Sequence, residues 1–247
     1  MRQHTQTDSN AYWEQSTQPL HCLVFVAPLL ILYEVGIIWL GPSAMRNGAD
    51  IWLREFLSHL GFGQYFFLPL VTCGLLLGWH HVTRCQWRLF PQVLSGMTCE
   101  SFLVGLSIVV VGQMAGWLVW GTLTEDSASV SLGIGSTLPH VLSFLGAGIY
   151  EELLFRLILL SGSIALFQQL GVDRTSAWVA AIVATSLLFA AAHYRMFFQT
   201  GLEFTWYSFL FRGTAGVVFS FLYLYRGFGI AVGTHAVYDI LVTTFVA

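Results

Sequence analysis

A chain of 247 residues that is 56% hydrophobic and 9% charged departs from ordinary soluble domains, in which about a quarter of residues are charged. Its net charge is −3 and its basic residues are all arginines without a cluster, which excludes an electrostatic nucleic-acid footprint and leaves a polytopic membrane protein. The four cysteines, Cys22, Cys73, Cys85 and Cys99, lack Cys-x-x-Cys spacing, which argues against a zinc knuckle or a redox pair.

Residues 1–19 are polar and lack the basic start of a signal peptide, so the apolar run Leu20 to Leu40 reads as a retained anchor. Glu34 within it reads as a carboxylate facing other helices. Gly41-Pro42 ends this span, and Asp50 to Leu60 mixes apolar and charged positions at helical spacing over too short a length to cross a bilayer. That pattern predicts an interfacial helix. A second span is expected from Phe62 to Trp79, with His80-His81 as a solvated pair at its end.

The linker Thr83 to Thr98, with Arg84, Trp87, Arg88 and Pro91, is amphipathic and is placed at the surface. A third span follows from Ser101 to Trp120. Thr124 to Ser129, with Gly133 and Gly135 after it, forms a polar loop. A long helix from Leu138 to Leu170 leads through the turn Gly171 to Arg174 into a fifth helix, Thr175 to His193. The sixth, Phe204 to Tyr225, contains Gly213 and Gly216, which allow close helix approach. Arg226 to Gly229 turns the chain into the last helix, Ile230 to Val246. The fold class is therefore all-α: a polytopic membrane protein with about seven transmembrane helices and one or two interfacial helices. Its parts are the polar segment 1–19, an N-terminal membrane region 20–136 and a C-terminal region 137–247.

Three helices of the C-terminal region carry polar groups that are costly in lipid. An ionised carboxylate at mid-membrane costs at least about 2.5 to 3.5 kcal/mol, so Glu151 and Glu152 need partners or a wet cavity. Glu152 and Arg156 are i,i+4 neighbours able to pair, while Glu151 is turned about 100° away and is free to face something else. Phe189 shares a helix face with His193, and His235 shares one with Asp239. Counted from the turn at Gly171 to Arg174, Glu151 and His193 lie at similar heights on antiparallel helices. His235 matches that height only if this hairpin projects beyond the membrane at its closed end. Taken singly, each group reads as a packing residue or a helix-end charge; recurring on three helices, they point to one shared polar site. His140, Glu100 and Arg212 read as structural, Arg212 as a possible neutraliser of an acid.

Glu151-Glu152-x-x-x-Arg156, Phe189-x-x-x-His193 and His235-x-x-x-Asp239, in that order on successive hydrophobic helices, resemble the three motifs of the CPBP family. This is the CAAX-protease and bacteriocin-processing group that includes the type II CAAX prenyl endopeptidases. The resemblance covers about Leu138 to Leu241; residues 1–130 match only as generic spans. It implies a glutamic intramembrane endopeptidase in a bacterial inner membrane or plasma membrane. Glu151 would be the general base on water, His193 would orient or activate it, and His235 with position 239 would stabilise the oxyanion. Glu152, Arg156 and Phe189 would support the site. The implied partners are the lipid bilayer and a membrane-associated protein or peptide substrate, with no nucleic acid.

Prenyl proteases of the family carry Asn at the last position, and Asp239 is a variant the pattern admits. An ionised Asp cannot donate to an oxyanion, so Asp239 is expected to orient His235 or to stay protonated. Glu151, His193, His235 and Asp239 are also zinc ligands by type. The absence of a His-Glu-x-x-His spacing and the resemblance itself favour metal-free chemistry, with no cofactor expected and a divalent metal such as zinc as the alternative. Two other functions compete. One is a non-proteolytic membrane scaffold or immunity-type partner. The other is a proton-coupled transporter, which predicts internal repeats that the chain lacks.

Overall fold

The computed structural model describes residues 12–120, 137–194 and 203–245. The loop Thr124 to Ser129, with Gly133 and Gly135, lies outside the described residues. Among those described, every regular element is helical. They are α1 (Pro19–Leu40), α2 (Gly48–His59), α3 (Phe67–Val82), α4 (Pro91–Trp120), α5 (Thr137–Glu152), α6 (Ser161–Gln169), α7 (Arg174–Ala191) and α8 (Trp206–Phe245). A wider helical stretch, Leu153–Leu160, joins α5 to α6, so the acidic motif sits in the middle of one continuous rod.

Local chemistry sets several of these ends. Pro19 opens α1, where its missing N–H costs nothing, and Gly41 closes it at φ 54. Asn47 caps α2, its side-chain oxygen accepting from the Ala49 N–H at 2.8 Å, and Asp173 caps α7 by accepting from the Thr175 and Ser176 amides. Helix α4 begins at Pro91, ten residues before the expected start at Ser101, because a proline at the first helical position is preorganised for the turn. The expected surface linker is correspondingly shorter.

Among the described residues, four helical segments are long and apolar enough to cross a membrane: Pro19–Ser43, Pro91–Gly116, Arg174–Ala191 and Trp206–Thr244. The apolar face of α1 that holds Ile31, Val35, Ile38 and Trp39 is exposed, as a lipid-facing surface would be, while Val26, Leu30, Tyr33 and Ile37 on the other face are buried. The expected count of about seven spans is not reached by length and composition. Helix α3 has only 16 residues, and the acid-bearing rod is divided by its wider stretch.

The expected sixth and seventh helices together make α8, which breaks at Gly227, where φ is 83 and ψ 171. Phe219 and His235, eight residues to either side of that glycine, stack with ring centroids 4.8 Å apart. An unbroken helix would hold them about 24 Å apart, so the two halves fold back on each other. Only glycine adopts this backbone conformation without strain, and a Cβ there would stand 2.9 Å from the Thr17 Cα.

The main core joins α1, α5 and the second half of α8 through Tyr33, Ile149, Tyr150, Phe228 and Val232. Gly148 lets α5 approach α8 so closely that a Cβ would meet the Val232 carbonyl at 2.9 Å. Of the two glycines expected to permit helix contact in the sixth helix, Gly216 abuts Ser186, while Gly213 has no neighbour within 4 Å of its Cβ position.

One N-terminal expectation gains an unforeseen feature and another needs correction. Helix α2 turns charge inward: Asp50 is fully buried, accepting from the Tyr33 hydroxyl at 2.8 Å, Arg46 at 2.6 Å and Arg54 at 2.5 Å. Arg54 also reaches Glu34 at 2.7 Å, and Tyr150 donates to that same carboxylate at 2.5 Å. Burial works against the Arg46 charge, but its hydrogen bond to Asp50 and that group's negative charge outweigh it and raise the guanidinium above its usual value. Of the histidine pair, only His81 is exposed; His80 is fully buried, edge-on to Trp87 with centroids 4.5 Å apart.

Candidate active site

Glu151, at the junction of α5 and the wider stretch, is buried, and its two oxygens have different surroundings. Oε1 accepts a hydrogen bond from Asn47 Nδ2 at 2.7 Å. Oε2 is buried without a hydrogen-bond partner, and Nε2 of His193 and Nε2 of His235 each stand 3.8 Å from it. The height match expected between Glu151 and His193 is therefore met, and His235 reaches the same level. Ser161 pairs with Tyr223 at 2.8 Å, four residues short of Gly227, whereas the turn at Gly171 lies ten residues beyond Ser161. The α6–α7 hairpin thus extends roughly 9 Å past the neighbouring turn.

Partners on the far side of each ring set the imidazole orientations. His193 Nδ1 lies 2.8 Å from the Phe189 carbonyl, which can only accept, so Nδ1 carries the proton and Nε2 is left facing Glu151. His235 Nδ1 lies 2.7 Å from Glu152 Oε1, and the same reasoning turns its Nε2 toward the same oxygen. Phe189 packs edge-on to both rings, at 4.9 Å from His193 and 6.1 Å from His235.

Glu152 and Arg156 do pair, at 3.3 Å, with both side chains almost completely buried. The backbone spacing changes just here: the Ser161 N–H reaches the Arg156 carbonyl, an i→i−5 bond of the kind that often marks functional sites in helices. The Arg156 guanidinium also donates to the Gly216 carbonyl at 3.3 Å and lies over the rings of Phe189 and Phe219, at 4.4 and 5.5 Å. One charged pair thereby ties the acidic helix to α7 and to both halves of α8.

Asp239 Oδ2 is 3.6 Å from His235 Nε2, beyond hydrogen-bond distance. The group that orients His235 is therefore Glu152, and Asp239 stands beside the Nε2 side of the ring. For the alternative donor set for zinc, no group of three or more His, Cys, Asp or Glu among the described residues is placed to hold a metal ion. Of the residues read as structural, Glu100 binds Arg226 at 2.5 and 2.7 Å and Tyr12 at 2.6 Å, away from this cluster. Arg212 donates to Ser208 and is near enough for its charge to act on Asp239 and His193, in keeping with a neutralising role.

Asn47 is the site residue that sequence reasoning missed. Its only local signal is that of a helix cap; its bond to Glu151 spans 104 positions. The buried network of Asp50, Arg54, Glu34 and Tyr150 fixes the α1–α2 corner beside it, next to the residue preceding Glu151.

Described residues whose regular elements are all helical, with four apolar segments long enough to cross a membrane and a buried acid–imidazole cluster, define an integral membrane protein with a polar site at its core. Residues 133–241 match the family described as type II CAAX prenyl endopeptidase Rce1-like. No curated protein and no solved structure matches the chain.

Proposed function

We propose that this protein is an intramembrane endopeptidase that hydrolyses a peptide bond of a membrane-associated protein or peptide with water activated by Glu151. The observation that carries this reading is the buried, unpartnered Glu151 Oε2 faced by two imidazole nitrogens at 3.8 Å. That spacing is too long for a direct hydrogen bond and suits one bridging water. The match of residues 133–241 to a CAAX prenyl endopeptidase family supports the proteolytic part of this reading.

In this mechanism the water is held by Glu151 Oε2 and His193 Nε2. Its oxygen attacks the peptide carbonyl carbon while its proton passes to Glu151. His235, protonated on both nitrogens, donates from Nε2 to the oxyanion, its ring held by Glu152 and sandwiched against Phe219. Collapse breaks the C–N bond, and Glu151 returns the proton to the leaving amine, giving a new carboxyl and a new amino terminus. Asn47 keeps Oε1 engaged, so that Oε2 is the basic oxygen.

The test is hydrolysis in isotopic water. Wild-type protein in liposomes, incubated with solubilised membrane proteins of its host in H2 18O, is expected to place the label in new internal C-termini. The Glu151→Gln variant should not. Equal labelling by both proteins would rule out Glu151 as the base.

A further inference from the structure

A second polar feature lies at the end of the bundle marked by the Gly227 turn, away from the acidic site. There α3 ends and the chain returns to α4 through residues 83–90, beside the segment that precedes α1. Gln15, Gln18, Arg84, Gln86, Arg88 and Phe90 are among the residues lining a pocket of about 350 Å³. Its lining includes two guanidiniums and three carboxamides, and no carboxylate.

The two arginines differ from the others in the structure. Arg46, Arg54, Arg156 and Arg226 are ion-paired, Arg174 lies over the Trp178 ring and Arg212 donates to Ser208. Among the described residues Arg84 and Arg88 are the arginines with no hydrogen-bonded, ionic or ring partner for their side chains. In a chain of net charge −3, the two uncompensated cations line the same cavity. Arg84 is also the one described non-glycine residue at positive φ, 53°, a conformation that L residues with a Cβ rarely adopt.

The rim has a different character. Val82, Trp87, Leu89 and Phe90 are exposed, as is Trp13 on the neighbouring segment. Exposed tryptophan and aliphatic side chains interleaved with arginine are the composition of a membrane–water boundary. A cationic polar pocket with an apolar rim matches an amphiphile with an anionic head. We propose that this pocket binds the phosphate headgroup of an anionic phospholipid, with Arg84 and Arg88 facing the phosphate and the acyl chains lying along Trp87 and Leu89. The proposal is independent of the proteolytic reading.

Delipidated full-length protein titrated with phosphatidylglycerol or phosphatidylcholine and read by native mass spectrometry tests it. Wild type should take phosphatidylglycerol at least about tenfold more tightly, since each basic side chain at an anionic surface favours binding several-fold. Arg84→Gln/Arg88→Gln should lose that preference, Arg84→Lys/Arg88→Lys should retain most of it, and Glu151→Gln should bind as wild type does. If the double glutamine variant fails to fold, Arg88→Gln alone should still weaken phosphatidylglycerol binding about fivefold. Equal binding of the two lipids, or an unchanged preference in the glutamine variants, would overturn the proposal. Displacement of phosphatidylglycerol by millimolar inorganic phosphate would overturn it in favour of a site for free phosphate.

Discussion

His235 Nδ1 stands 2.7 Å from Glu152 Oε1, the oxygen that also faces Arg156 at 3.3 Å. The second acid of the motif is thus shared between a buried cation and an imidazole on another helix. Glu152→Gln should leave Arg156 without its countercharge and His235 without its carboxylate, destabilising the protein by about 3 to 5 kcal/mol, the usual cost of breaking a buried ion pair. Thermal unfolding in detergent measures it. Adding Arg156→Met should recover part of the loss, because the uncompensated charge is then gone.

Asp239 gives the contrasting case. It lies 3.6 Å from His235 Nε2 and does not hold the ring. Asp239→Asn should therefore keep proteolysis within a few-fold of wild type, whereas Glu152→Gln should lower it by two or more orders of magnitude. Cleavage rates of the two variants side by side decide which acid positions the imidazole.

Asn47 performs two tasks with one side chain: its oxygen caps α2 and its amide donates to Glu151. Asn47→Asp keeps the cap, removes the donor and places a like charge against the base. The expected outcome is normal thermal stability within about 1 kcal/mol and a cleavage rate lower by about 10- to 100-fold, the worth of a hydrogen bond to a charged group. A cleavage rate equal to that of wild type would make Asn47 only a cap.

Much of the C-terminal architecture was legible because its signals are local or costly. Glu151, Glu152 and Arg156 stand out in an apolar run, and the i,i+4 spacings of Phe189 with His193 and of His235 with Asp239 assign helix faces directly. What stayed hidden depends on contacts distant in sequence. Nothing near residue 47 announces a bond to residue 151, and the spacing that pairs Glu152 with Arg156 carries no hint that His235 shares the same oxygen. On helix α2 the spacing of charged residues gave no sign that buried tyrosines and a second carboxylate on other helices turn Asp50 and Arg54 inward. His80 was misread as solvated because helix-end position does not reveal that Trp87, on the returning chain, covers it.

Gly227 allows the fold-back that brings Phe219 against His235. Gly227→Ala should cost about 1 to 3 kcal/mol, from a positive φ on a residue with a Cβ and from that atom's approach to the Thr17 backbone. Thermal unfolding should show the loss, with the lipid-exposed substitution Val35→Ala as a near-neutral control.

The most direct measurement is a comparison of membrane-protein termini, by mass spectrometry, in host cells carrying wild type, Glu151→Gln or a deletion. The expected result is one or more proteins whose internal cleavage products appear with wild type and vanish equally in the glutamine variant and the deletion. The contrary result is identical termini in all three strains, together with a deletion phenotype that Glu151→Gln fully rescues. That would make the buried acid–imidazole cluster part of a non-proteolytic scaffold.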